Sequence, residues 1–243
     1  MSNVFKAELY KIFHLKSTKI FLALTILIFG GSVFVPILFD AHSVKEYIFE
    51  TSDMFSIIII IMVVSYTILD YNAKTMKNLV SSGTNLPSIY LARMCSMFVM
   101  VAITLLVAMV SGGIASYIKL GGMGEGDVNI ATGISMVESY FLQLIYLVGI
   151  ACMTHFVTTL FRNTFLSLVI MIGFTMFGQV INVLIEKNLH VNLSGYSLQE
   201  VLTSINNMNL TPDFFQHFAI VTVVTLLVCS IIGCFVFSKR SLQ

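Results

Sequence analysis

Charge is scarce in this chain. Only 10% of its 243 residues are Asp, Glu, Lys or Arg, while 57% are hydrophobic; a water-soluble globular domain carries charge on about a quarter of its residues. Cysteine is missing from every polar segment: Cys95, Cys152, Cys229 and Cys234 all lie in apolar runs. None has metal-ligand spacing to histidine or carboxylate, so they read as packing residues, with no metal site and no disulfide framework. No Gly-x-x-x-x-Gly-Lys-Ser/Thr motif occurs, and the polar segments are too short to fold an ATPase domain, so no nucleotide or other cofactor is expected on this chain. The histidines, His14, His42, His155, His190 and His217, stand apart from one another. There is no His-Glu-x-x-His, Ser-His pair or converging carboxylate set, and an enzyme is not expected. Carboxylates are also absent from the interiors of the apolar runs, where a proton-driven carrier needs them. The net charge of +1 is uninformative by itself, and no nucleic-acid partner is expected.

What is present is a series of apolar runs near 20 residues, the length that crosses about 30 Å of hydrocarbon as a helix. The runs do not alternate apolar and polar residues as barrel strands do, so the fold class is all-α, a polytopic membrane protein with six transmembrane helices. Residues 1–19 place Phe5, Leu9, Ile12 and Phe13 on one helical face with Lys6 and Lys11 off it, the pattern of an N-terminal amphipathic interfacial elbow helix. A cleavable signal peptide fits less well, because the apolar run starts near Ile20, is long enough to span, and lacks a small-residue cleavage site after it.

Span one covers 20–39 and contains Gly30-Gly31-Ser32, which permits close helix contact. After an acidic loop, span two covers 54–69. Span three, 94–118, holds a second small-residue patch, Ser111-Gly112-Gly113 with Ala115. The next loop, 119–137, contains GGMGEGD; without a following Lys-Ser or Lys-Thr it reads as a flexible loop and not as a phosphate cradle. Span four, 139–161, and span five, 164–185, are separated by Arg162-Asn163 alone, which forces an antiparallel hairpin. Residues 186–216 repeat Leu198, Val201, Leu202 and Ile205 at helical spacing, so short helices are expected in that outer segment. Span six covers 218–237. All 243 residues form one transmembrane domain.

Orientation follows from the basic residues. Lys6, Lys11, Lys16, Lys19, Lys74, Lys77, Arg93, Arg162, Lys239 and Arg240 lie on the N-terminal side against Glu8 and Asp70, whereas the opposite side holds Lys45, Lys119 and Lys187 among the remaining carboxylates. The positive-inside rule then puts both termini and the loop between spans two and three in the cytoplasm.

That loop, 70–93, is DYNAKTMKNLVSSGTNLPSIYLAR. Asn72 is placed to cap a short helix whose apolar residues Ala73, Met76, Leu79 and Val80 recur at three- and four-residue steps, with Gly83 as its stop. Lys74 and Lys77 project from the other side. Periodicity alone fits either a helix resting on lipid head groups or one offering its apolar face to a partner. The residues resemble the first cytoplasmic loop of ATP-binding cassette (ABC) type-2 permeases: Asp70, Thr75, Met76, Lys77, Asn78, Leu79 and Arg93 match that family's pattern, while Lys74 stands where glycine is common and Asn85-Leu86 where Ser-Arg often occurs.

The resemblance implies that the 70–93 loop is the coupling loop, whose short helix docks on a separate ATPase subunit through Asp70, Thr75, Met76, Lys77, Asn78, Leu79 and Val80; that subunit carries the ATP and magnesium. It further implies a second permease copy or related permease beside this one, and an exporter in the bacterial cell membrane. Small members of the family move bacteriocins, lantibiotics, bacitracin-like peptides or other amphipathic compounds. Polar candidates at membrane depth are Gln143, His155, Gln179 and Asn182, of which a neutral histidine hydrogen-bonded to a neighbouring helix is the commoner case. The alternatives are a non-transport scaffold or sensor subunit, and a small channel or secondary carrier.

Overall fold

A computed structural model of the chain describes residues 2–32, 52–72, 85–120, 130–189, 201, 205 and 212–240. Its elements are all helices: α1 (Ser2–His14), α2 (Lys16–Ser32), α3 (Ser52–Asn72), α4 (Leu86–Leu120), α5 (Ile130–Phe161), α6 (Thr164–Leu189) and α7 (Pro212–Arg240). Within them, Leu86–Lys119, Tyr140–Phe161 and Phe214–Lys239 are long and apolar enough to cross a membrane. The pair Asn3–His14 and Lys16–Gly31, bent by 57°, makes a fourth if counted as one span. The described apolar parts of α3 and α6, Phe55–Leu69 and Thr164–Gly178, are shorter than the roughly 20 residues a span requires.

α4 is the hub. At 35 residues it is about 52 Å long, and it packs against α1, α2, α5 and α7. The elbow ends earlier than residue 19: α1 stops at His14, and α2 has begun at Lys16. The bend lets both segments lie against α4 in succession. Where α2 meets α4, Gly30 faces Ser111, 4.0 Å from the position a Cβ would take, so the two small-residue patches meet each other.

α3 packs on α5 and α6. Its isoleucine-rich run is buried or half-buried all round, as expected of a helix with no polar face. Ile59, Ile60, Val63 and Val64 join Met97, Val101 and Leu105 of α4 and Leu147 and Ile150 of α5 in the main core. Phe29 of α2 stacks on Phe55 of α3 at 4.5 Å. Val201 and Ile205 are helical and buried in that core; the rest of the outer segment between α6 and α7 lies outside the described residues. By contrast, α7 leaves Val223, Val224, Leu227, Ile231 and Phe235 exposed. Contiguous apolar surface of this kind belongs against lipid, and the chain is a membrane protein.

The hairpin between α5 and α6 forms as its two-residue connection demands. Arg162 takes φ 52°, its amide donating to the Thr158 carbonyl at 2.8 Å, and Asn163 caps α6 by accepting the Leu166 amide at Oδ1, 3.1 Å. Several helices overrun the expected boundaries. α5 starts at Ile130, inside the expected loop 119–137. α3 continues through Asp70 to Asn72, and α4 begins at Leu86 with Pro87 in its first turn, where proline is tolerated. Both ends of the 70–93 stretch are therefore continuations of the long helices.

Candidate functional site

The inner face of α1 carries a charge. Val4, Glu8 and Ile12 recur every fourth residue and so share one side of the helix; Glu8 and Ile12 are buried and Val4 is half-buried. This differs from the expected face of Phe5, Leu9, Ile12 and Phe13. Phe5 and Leu9 flank the buried stripe, and Phe13 remains 49% exposed. The physical reason is that Glu8 finds partners on two other helices, and a buried carboxylate is tolerated only when it is paired and hydrogen-bonded.

Those partners flank the 73–84 segment in sequence. Tyr66, near the end of α3, donates its hydroxyl to Glu8 Oε2 at 2.5 Å. Arg93, two turns into α4 and fully buried, donates from Nε to Glu8 Oε1 at 3.2 Å. Lys11, one turn along α1, holds its ammonium 3.9 Å from Oε2 and 5.0 Å over the Tyr66 ring. A carboxylate shared between a phenol and a guanidinium thus joins α1, α3 and α4.

The neighbours of these residues make a second junction. Thr67, next to Tyr66 on α3, has its hydroxyl 3.1 Å from Nδ1 of His155 on α5. Tyr90, one turn before Arg93 on α4, stacks on His155 with ring centroids 4.8 Å apart and donates its hydroxyl to the Cys229 carbonyl of α7 at 3.0 Å. Gly233 supplies the space: a Cβ there would stand 2.0 Å from the Tyr90 hydroxyl oxygen. Phe237 packs against the Tyr90 ring, with centroids 5.7 Å apart. Two residues of α3 and two of α4 therefore bind together α1, α5 and α7.

Of the expected polar residues, His155 has the interhelical hydrogen bond anticipated for it. Gln143 is also buried on α5, but twelve residues separate it from His155, about 18 Å along the helix, and the two do not form one site. Gln179 and Asn182 lie on α6, their side chains outside the described residues. Asp70 is in the last turns of α3 with its side chain likewise outside them, and Thr75, Met76, Lys77, Asn78, Leu79 and Val80 fall wholly outside. Cys152 and Cys229 are buried thiols and all four cysteines are free. Among the described residues no group of His, Cys, Asp or Glu is arranged to hold a metal ion.

Glu8 and Tyr66 were not singled out from sequence as site residues. The available signal was the Val4-Glu8-Ile12 stripe, in which a charge occupies a position that its helical neighbours make apolar. What the two junctions provide is hydrogen-bonded linkage between helices. No family model matches the chain, and no curated protein matches it.

Proposed function

We propose that this chain is the membrane-spanning permease subunit of an ATP-driven exporter, with six spans, cytoplasmic termini and a coupling helix within 70–93 that docks on a separate ATPase. The sequence of that stretch and the distribution of basic residues support this reading. The observation that carries it is the pair of polar junctions at the two ends of the coupling segment. A push on residues 73–84 is delivered to α3 and α4, whose ends are bound through Glu8 to α1 and through His155 and the Cys229 carbonyl to α5 and α7. A displacement then moves the bundle as a body instead of being lost in one flexible loop, as rocking between inward-open and outward-open states requires.

Two permease chains would line the path, as identical or related copies. Amphipathic, cationic peptides suit an apolar path with acidic outer loops. The reading is tested by the double substitution Met76→Asp and Leu79→Asp. The variant inserts in the membrane as the wild type does, but no longer copurifies with the ATPase or supports export. Full copurification and full transport by that variant would remove the coupling-helix assignment.

A further inference from the structure

We infer that His155 and Thr159 hold an internal water molecule at the junction of α3, α4 and α5. The two residues lie one turn apart on the same face of α5 and are each about 1% exposed. His155 Nε2 and Thr159 Oγ1 have no hydrogen-bond partner among the described residues. Polar atoms this deep in an apolar bundle are paired in nearly all folded proteins, with protein groups or with ordered water.

The conformation of Thr159 is the telling detail. The buried hydroxyls of Thr25, Ser96, Thr104, Thr154 and Thr158 each donate to the carbonyl four residues back on their own helix, at 2.7–2.8 Å. That bond is the easy solution for a hydroxyl in a helix without water. Thr159 does not make it, although the His155 carbonyl is four residues back, so its hydroxyl is directed to a different partner.

His155 is fixed as well: Nδ1 is engaged by Thr67 and the ring is held by Tyr90, which leaves Nε2 with one direction for its hydrogen bond. Side chains at i and i+4 are neighbours on one helix face, so Nε2 and Oγ1 belong to the same stretch of the α5 surface, where a water bonds each at about 2.8 Å. The water donates to Nε2 or accepts from its N–H according to the tautomer that Thr67 selects. The inference stands independently of the transport reading.

Radiolytic hydroxyl labelling in H₂¹⁸O tests it, on the full chain in lipid nanodiscs. Radicals born at an internal water oxidise the side chains around it. Tyr90, stacked on His155, is the reporter, and Tyr146, equally buried on α5 but more than two turns away, is the control. The expected result is ¹⁸O incorporation at Tyr90 several-fold faster than at Tyr146, falling to the Tyr146 rate in Thr159→Val, a substitution of matching shape. Equal rates at the two tyrosines in the wild type, or a Tyr90 rate unchanged by Thr159→Val, would overturn the inference.

Discussion

Separating Glu8 from Arg93 measures how firmly the elbow helix is fixed to the bundle. Arg93→Met keeps a long, flexible side chain but removes the charge. Glu8 then retains the Tyr66 hydroxyl and the more distant Lys11, so the cost is near the lower end for breaking a buried pair, about 3 kcal/mol. Glu8→Leu removes the acceptor shared by the Tyr66 hydroxyl and Arg93 Nε, and about 4 kcal/mol is expected because two buried donors lose it at once. With both substitutions the charge left by either single change is gone. The remaining penalty is the Tyr66 hydroxyl and altered packing, so the double variant costs about 3 kcal/mol, less than Glu8→Leu alone, and the coupling energy is about 4 kcal/mol. The chain has no tryptophan, so unfolding is followed by pulse proteolysis across a denaturant titration in lipid–detergent micelles. Single-variant costs that add to within about 0.5 kcal/mol would show that the two residues do not act as a pair.

Three further outcomes follow from the same geometry. Gly233→Ala drives a methyl group into the Tyr90 ring and lowers stability by about 1–3 kcal/mol, with recovery on adding Tyr90→Leu; denaturant titration of the three variants checks it. Thr67→Val removes the hydroxyl partner of His155 Nδ1 and costs about 1–3 kcal/mol, since it leaves a buried ring nitrogen unsatisfied; replacing His155 by Phe in the same chain removes most of the loss. Asn163→Ala deletes the cap of α6 at a cost of about 1 kcal/mol, seen as faster amide exchange confined to the first turn of that helix.

Local chemistry was legible in the sequence, and long-range partnership was not. Arg162-Asn163 announces a tight hairpin because a two-residue connection leaves one geometry, and Asn163 is itself a capping residue. The small-residue patches at Gly30 and Ser111 were readable as contact surfaces, though not as each other's partners. His155 was recognisable as an interhelical hydrogen-bonding residue, but Thr67 and Tyr90 were not nameable, since their proximity depends on how three helices are rotated. Glu8 shows the limit most clearly. In the sequence it counted only among the charges on the N-terminal side, and what makes it a buried link is Arg93, 85 residues away. Span counting shared this limit. Apolar runs suggested six crossings, whereas the described helices include three of sufficient length and composition, or four with the bent pair. Helix ends were obscured for a simpler reason: α3 and α4 carry polar residues into the 70–93 stretch without breaking.

The central claim is that the coupling segment engages an ATPase. The most direct measurement is purification of the tagged chain from its native membrane in mild detergent, with quantitative mass spectrometry of the proteins retained. The account predicts an ATPase bearing a Walker A sequence at about one copy per permease chain, lost when Met76 and Leu79 are both replaced by aspartate. Repeated recovery of the chain without any such ATPase, under conditions shown to preserve a known permease–ATPase complex, would contradict it.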